Sequence, residues 1–270
     1  MGLMNDRITA DGAAWPRFEA AVEDFWSLGG EVSAHDGYEL VRHRAAPDHP
    51  LGNFCRGLRT AAAAESIRAH GDDAAAPLPP RVIIDTEAPP AVEAVLALND
   101  WALERLLVLE LAADVPVPEP HGLQVRHADG EEDWREIERL FRIDHLEEDA
   151  RHGSPPRPPE LTRSAVALRR ALGPQVRYLL AEGDRSVVAT IAVWVGGEGI
   201  GLIEDVFVHP RERGSGVATQ MLRRAVAHAR GRGAGSVLIG AEIDDTPKHL
   251  YHRFGFRPVG VQHSYHRPTP

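Results

Sequence analysis

Residues that could do chemistry are concentrated in the run 203–222. It reads Ile-Glu-Asp-Val-Phe-Val-His-Pro and then Arg-Glu-Arg-Gly-Ser-Gly-Val-Ala-Thr-Gln-Met-Leu. Guanidinium groups such as those of Arg211 and Arg213 are charged, forked donors that suit phosphate oxygens. Glycines such as Gly214 and Gly216 let the backbone approach a ligand closely. The run therefore predicts a binding site for a phosphate-containing anion.

The elements around these residues favour the same site. The β-branched and aromatic residues before Pro210 predict a buried strand that ends there. The spacing of Val217, Met221 and Ala225 predicts a helix after the glycine turn. The first free N–H groups of that helix, and its dipole, would face the anion. A dinucleotide-binding turn would have a third glycine where Thr219 stands, and the sequence has no Gly-Lys-Ser/Thr of a Walker loop.

The turn resembles the pyrophosphate loop of the GCN5-related N-acetyltransferase (GNAT) superfamily. That loop has the pattern Gln/Arg-x-x-Gly-x-Gly/Ala, which is matched here by Arg211, Gly214 and Gly216. The strand end before it, with Val208 and Pro210, also matches the Val-x-Pro of the family.

A second pattern follows at the distance expected in that family. The residues Leu-Tyr-His-Arg-Phe-Gly-Phe at 250–256 resemble its closing Leu-Tyr-x-x-x-Gly-Phe. The resemblance covers about residues 122–264. It departs from the family pattern where Asp244 and Pro247 stand in place of the frequent Asn and Ala.

The resemblance implies an α/β fold with a mixed, mostly antiparallel central sheet flanked by helices. It also implies an N-acetyltransferase that moves an acetyl group from acetyl-CoA, a co-substrate, to a primary amine of a small molecule or peptide. The transfer would be direct, in a ternary complex. The residues implied to bind acetyl-CoA are Val206, Phe207, Val208, Arg211, Arg213, Gly214, Ser215, Gly216, Val217, Ala218 and Asp244.

Acetyl transfer needs a group that deprotonates the amine, whose pKa is ordinarily about 10.4. Glu204 and Asp205 lie just before the glycine turn, and a carboxylate can take that proton. Because side chains alternate along a strand, only one of the two should face the acceptor. We favour Glu204 with Asp205 as the second choice, since Glu-Asp at this place resembles the sugar-amine acetyltransferase branch of the family. The alternative is that neither is catalytic and that water takes the proton.

Tyr251 is implied as the general acid. The Tyr of the Leu-Tyr pair protonates the leaving thiolate in much of the family, and a thiol has a pKa of about 8.5. The alternative is a core tyrosine with an anchored hydroxyl group.

Composition limits the other classes of function. The net charge of −10 argues against a general nucleic-acid partner and is compatible with a cationic substrate. No apolar run reaches membrane-spanning length, and the first residues lack the apolar core of a signal peptide. Cys55 is the only cysteine and is expected to be a buried, inert thiol, so a cytoplasmic location fits. The histidines show no metal-ligand spacing, and no metal is expected.

The chain is long enough for two domains. We predict an N-terminal α/β domain at 1–111, a stiff proline-rich linker at 112–121 and the acetyltransferase domain at 122–270. In the first domain we predict an amphipathic helix at 13–28, whose apolar face consists of Phe18, Val22, Phe25 and Trp26. A loop at 71–80, a buried strand at 81–85, a helix from 90 and a strand ending at 111 are predicted after it. This element order suggests a smaller, degenerate copy of the GNAT fold without an anion loop. The alternative is an unrelated helical cap.

In the second domain we predict helices at 129–149 and 162–172, joined by a loop at 151–160. Glu147, Glu148 and Asp149 would lie near this loop, which helps to form the acceptor pocket in GNAT proteins. They could attract a cationic amine, or they could form a solvated helix end.

Two other functions remain open at this stage. One is a non-catalytic acyl-CoA-binding or regulatory module. The other is narrower, a tandem-GNAT enzyme of the mycothiol synthase type. Strand edges exposed in this fold are compatible with a homodimer.

Overall fold

A computed structural model describes residues 14–47, 49–71, 81–184 and 186–267. The start of the chain and most of the loop predicted at 71–80 lie outside these residues. The helices are α1 (Trp15–Ser27), α2 (Ala61–Gly71), α3 (Pro90–Leu98), α4 (Glu131–Arg151), α5 (Pro159–Ala171), α6 (Val217–Gly231) and α7 (Pro247–Phe254). The strands are β1 (Glu31–His35), β2 (Tyr38–Arg42), β3 (Asn53–Arg56), β4 (Arg81–Ile84), β5 (Ala102–Leu111), β6 (Val125–His127), β7 (Arg177–Glu182), β8 (Val187–Val195), β9 (Ile200–Val208), β10 (Ser236–Glu242) and β11 (Arg257–His266).

The chain forms two compact units. The first unit comprises the described residues up to Glu110 together with those from Gly240 onwards, and the second unit is Leu111–Ile239. The division predicted from the sequence placed residues 122–270 in one domain. The compact units differ from it because β11 pairs antiparallel with β5 along most of its length, and also with β4.

In the first unit the sheet order is β1-β2-β3-β4-β11-β5. The β3–β4 pair is parallel, and every other neighbouring pair is antiparallel. The amphipathic pattern predicted for α1 is confirmed, since Phe18, Val22, Phe25 and Trp26 are all buried. Cys55 is also buried in this unit, and its burial raises the pKa of the thiol to about 12. At neutral pH it therefore remains an unreactive thiol.

In the second unit the sheet order is β6-β7-β8-β9-β10. Only the β9–β10 pair is parallel, so the predicted mixed, mostly antiparallel sheet is confirmed. The apolar run of β8 explains its central place, because Ile191, Ala192 and Val193 are fully buried. Helices α4 and α6 both pack on this strand.

Helix α5 begins at Pro159, earlier than predicted. Proline lacks an N–H donor, but the first turn of a helix does not need one, so the proline-rich segment can start the helix. The predicted linker is anchored where it begins. Arg230 of α6 donates from Nη2 to the carbonyl oxygens of Ala112 and Val115, each at 2.9 Å.

Candidate functional site

The predicted strand, glycine turn and helix are present in the second unit. A 3-10 turn at Pro210–Glu212 follows β9, and α6 begins at Val217. Gly214 and Gly216 have φ angles of 78° and 91°, which L-residues with a side chain adopt only with strain. A Cβ atom built on either glycine would meet no heavy atom within 4 Å, so the surface above the turn is open.

The turn offers a row of free donors. In the described part of the chain, the backbone N–H groups of residues 214–219 form no hydrogen bond, and the first that does is Gln220, to the carbonyl of Gly216 at 3.1 Å. Free N–H groups at a helix N-terminus, together with the helix dipole, attract anions. An anionic group therefore fits this turn.

The two arginines of the turn differ in their contacts. The Arg211 side chain is exposed and has no ion pair or hydrogen bond with any described residue. Arg213 donates from Nε to the carbonyl of Val208 at 3.0 Å and from its two terminal nitrogens to Glu147 at 3.1 and 2.5 Å. Arg211 is thus free to meet an anion, whereas Arg213 would have to leave Glu147.

The three carboxylates predicted near the acceptor loop all hold arginines. Glu147 binds Arg213, while Arg157 binds Glu148 at 2.8 Å and Asp149 at 2.6 Å. The Arg157 guanidinium lowers the pKa of Asp149. All three carboxylates are thus paired with one of two arginines, so the cluster does not present three free charges to an amine.

The strand before the turn carries a β-bulge. Glu204 lies opposite Ala192 and Phe207 lies opposite Thr190, so β9 has one more residue than β8 in this interval. Asp205 is in the bulge with a φ of 52°, a left-handed conformation that is costly outside glycine. Side chains do not alternate regularly across a bulge, so the regular alternation expected for Glu204 and Asp205 does not hold here.

Asp205 is held by two partners. Arg169 of α5 donates to it from Nη2 at 3.1 Å, and the hydroxyl of Tyr178 on β7 donates to it at 2.5 Å. The side chains of Asp205 and Arg169 are only 7% and 11% exposed. The guanidinium of Arg169 also stacks 5.3 Å from the ring centre of Phe141. Asp205 is therefore a structural anchor of the bulge, which does not favour it as a general base.

Glu204 is in the opposite situation. Its carboxyl group forms no hydrogen bond or ion pair with any described residue. Burial and the negative charge of Asp205 together raise its pKa to about 8, although Arg169 opposes the shift. A carboxylate with a pKa near neutrality is well matched to proton transfer at that pH. The geometry thus separates the two carboxylates, one as an anchor and one as a candidate base.

We expect the Asp205–Arg169 ion pair to make a measurable contribution to the free energy of unfolding. Asp205→Asn removes the carboxylate that pairs directly with the buried Arg169 and should lower the free energy of unfolding by about 3–5 kcal/mol. Urea denaturation of both proteins measures the difference. The control is Glu131→Gln, which removes a carboxylate from the exposed Arg170–Glu131 pair and should cost less than about 1 kcal/mol. Equal losses in the two variants would contradict the anchoring role.

Two of the predicted residues, Tyr251 and Asp244, lie in the first unit, whereas Val206, Phe207, Val208, Ser215, Val217 and Ala218 lie in the second. Tyr251 is in α7, is 5% exposed, and its ring centre is 6.3 Å from that of Phe256, which is fully buried. Leu250 and Phe254 are only partly buried. Asp244 lies in the turn after β10, where its side chain is exposed and has no ion pair or hydrogen bond with any described residue.

Sequence reasoning missed Arg169, Tyr178 and Arg157. Arg169 lies on the same face of α5 as the buried residues Ala165, Val166 and Leu168, and a charge on an apolar face is a signal that a buried partner exists. The sequence does not identify Asp205 as the partner of Arg169, because the two residues belong to elements that are far apart in the chain.

The described residues contain neither a candidate membrane-spanning helix nor a candidate metal-binding cluster. None of the helices described is both long and apolar enough to span a membrane. Within the same residues, no group of three or more His, Cys, Asp or Glu side chains is placed to hold a metal ion.

Comparison with known proteins identifies a family for part of the chain. Residues 134–256 match the model of the Acetyltransferase (GNAT) family. A comparison with curated proteins found no match to the chain.

Several solved structures share the fold. A GCN5-related N-acetyltransferase from Kribbella flavida superposes with a TM-score of 0.65 at 19% identity, covering 96% of this chain and 98% of its own. A conserved protein of unknown function from Staphylococcus epidermidis gives a TM-score of 0.62 at 12% identity, covering 87% and 93%. A tandem GNAT protein from the clavulanic acid biosynthesis pathway gives 0.50 at 15% identity, covering 86% and 79%.

At these identities the solved structures establish the fold, and the family match establishes the type of domain. The glycine turn, the bulged strand β9 and helix α6 all fall within the matched residues. This chain therefore contains an acetyltransferase domain of the GNAT family at residues 134–256.

Proposed function

We propose that the protein is an N-acetyltransferase that moves an acetyl group from acetyl-CoA to a primary amine of a small molecule or peptide. The observation that carries this proposal is the open glycine turn, whose free N–H groups begin ten residues after a carboxyl group with a pKa of about 8. The first feature suits a pyrophosphate and the second suits an amine that must lose a proton. A binding module without catalysis would need only the first.

The residues of the turn fit acetyl-CoA, which would supply an acetyl group activated as a thioester. Free amides in 214–219 and the unpaired Arg211 would bind the pyrophosphate. By family resemblance, the main chain of Val206, Phe207 and Val208 would pair with the pantetheine arm, and Asp244 would lie at the cofactor. Arg213 would exchange Glu147 for a phosphate oxygen.

Glu204 would take the proton of the acceptor ammonium group, because it is the unpaired one of the two carboxylates in β9. Transfer would then be direct, within a ternary complex and without a covalent enzyme intermediate. Tyr251 would protonate the leaving thiolate, a role that rests on the family pattern.

Tyr251→Phe should lower kcat by about 100-fold, the lower end of the range for general acid catalysis. The acetyl-CoA dissociation constant should change little, since the phenyl ring of the variant can keep the packing of Tyr251 against Phe256. An assay of coenzyme A release measures kcat, and calorimetric titration measures the dissociation constant of acetyl-CoA. Unchanged kcat would remove the general-acid assignment.

We further propose that the first half is a degenerate copy of the same fold. Its order β1-β2-β3-α2-β4 has two antiparallel pairs followed by a parallel one, as does β7-β8-β9-α6-β10. Only four residues, 57–60, separate β3 from α2, whereas eight, 209–216, separate β9 from α6. The hydroxyl oxygen of Thr60 also accepts the N–H of Ala63, which leaves one fewer free donor at the start of α2.

A calorimetric titration with acetyl-CoA tests these proposals together. We expect one molecule bound per chain, and release of coenzyme A when a panel of primary amines is added. Two molecules per chain would overturn the degenerate-copy proposal. Binding without coenzyme A release on any amine would favour the acyl-CoA-binding module, and absence of binding would remove the acetyltransferase assignment. The homodimer stays a prediction, to be checked by sedimentation.

A further inference from the structure

A second cleft lies in the second unit, on the other half of α6. It has a volume of about 230 Å³ and is formed by the edge strand β6 and the later turns of α6. Its polar lining consists of Arg126 and His127 from β6 and of Arg224 and His228 from α6, over an apolar floor that includes Val125 and Leu179. The proposed mechanism uses none of these residues.

The charges around this cleft are mostly positive and unpaired. Arg126 is the exception, because Asp133 and Glu182 each bind it at 2.7 Å. The side chains of Arg224, Arg177 and Arg232 form no ion pair or hydrogen bond with any described residue. Cationic groups that outnumber the nearby acids create a local field that favours a negatively charged ligand.

The two imidazoles add to this field. The ring centres of His127 and His228 are 5.5 Å apart. Burial lowers the pKa of His228, and His127, Arg232 and Arg177 lower it further by repulsion. A bound anion would relieve that repulsion, so it would favour the protonated ring.

A cation fits the cleft poorly. Two nearby histidines could hold a divalent metal, but no third His, Cys, Asp or Glu completes a group with them among the described residues. The adjacent guanidinium groups would also repel a metal ion.

We propose that this cleft binds the phosphate group of a small phosphorylated molecule, at a site separate from the acetyl-CoA turn. A phosphate monoester carries a charge of about −1.5 to −2 near neutral pH and three acceptor oxygens. Arg224 can supply a forked pair of donors, and His127 and His228 can supply one each. The apolar floor suits the short carbon stem of a phosphate monoester, which inorganic phosphate lacks.

The experiment is an NMR titration of the whole protein with labelled histidine rings, at constant ionic strength. The probes are inorganic phosphate and glycerol 3-phosphate, and His228→Gln assigns the His228 signal. We expect the His127 and His228 ring signals to shift, the pKa of His228 to rise, and glycerol 3-phosphate to bind more tightly. Equal affinities for both probes would overturn the phosphomonoester assignment in favour of free phosphate.

Arg224→Gln should weaken binding at this cleft about 10-fold, the usual effect of losing a charged hydrogen-bonding partner. Arg163→Gln, which removes an exposed arginine on α5, is the matched control and should leave the affinity unchanged. Gly216→Asp should also leave the histidine shifts unchanged, since it alters only the glycine turn. Unmoved histidine signals, equal affinity in Arg224→Gln, or loss of the shifts in Gly216→Asp would each overturn the proposal.

Discussion

Glu204→Gln is expected to lower kcat/KM for acetyl transfer by about 100-fold to 1,000-fold, a loss typical of a missing general base. The amide has nearly the same shape as the carboxyl group but cannot accept the proton. The dissociation constant of acetyl-CoA should stay within about twofold of the original, because Glu204 is not assigned to the cofactor. Steady-state kinetics and calorimetry measure the two effects.

The pH profile gives the same variant a sharper readout. A base works in its deprotonated form, and the pKa of Glu204 is raised to about 8. The wild-type kcat/KM should therefore rise with pH up to about 8 and level off above it, and Glu204→Gln should lose this rise. The matched control is Glu132→Gln, an exposed glutamate in the first turn of α4, which should keep both rate and profile. A rise with pH that persists in Glu204→Gln would assign the proton to water or to another group.

The burial of Glu204 should also make the free energy of unfolding depend on pH, which can be measured without any substrate. The pKa of Glu204 is higher in the folded chain than the ordinary value of 4.5, so the folded state holds the proton more tightly than the unfolded state. The contribution of this group to stability is therefore full below about pH 4.5 and is lost as the pH rises to about 8. Urea denaturation at pH 6 and pH 9 should show a smaller loss of stability in Glu204→Gln than in the wild type.

The sequence was sufficient to predict the elements that have local signals. Pro210 ends β9, and Gly214 and Gly216 take the left-handed conformations that the turn requires. The apolar spacing of α1 likewise predicts which of its residues are buried. These features depend on neighbours in the chain, so a single sequence contains the information.

The parts that could not be predicted depend on distant partners. The bulge at Asp205 adds one residue to a strand whose composition still looks regular, and it is stabilised by Arg169 and Tyr178 from other elements. The pairing of β11 with β4 and β5 joins the end of the chain to its first half. Apolar periodicity indicates that a strand has a buried face, but it does not indicate which strand pairs with it.

The arginine contacts of the acidic cluster illustrate the same limit. Glu147, Glu148 and Asp149 suggest an amine site when only the sequence is considered. In the structure all three carboxylates form ion pairs with Arg213 or Arg157. A sequence shows how many charged residues a segment has. Which of them form ion pairs depends on the contacts made in the folded chain.

Gly216→Asp is expected to weaken acetyl-CoA binding by at least about 100-fold, because two effects add up. Gly216 has a φ of 91°, where an L-residue costs about 1–2 kcal/mol of strain. A carboxylate at the start of α6 would also repel the pyrophosphate that the free N–H groups are expected to hold. Calorimetric titration with acetyl-CoA measures the loss.

Gly233→Asp separates the two effects. Gly233 follows the other end of α6, has a φ of 94°, and has no heavy atom within 4 Å of a built Cβ, so the same substitution meets similar strain far along the helix. Both variants should lose stability in urea, but only Gly216→Asp should lose acetyl-CoA. Gly216→Ala, which adds the strain without the charge, should lie between Gly216→Asp and the wild type in affinity. Normal acetyl-CoA affinity in Gly216→Asp would mean that the turn closes a helix and binds no pyrophosphate.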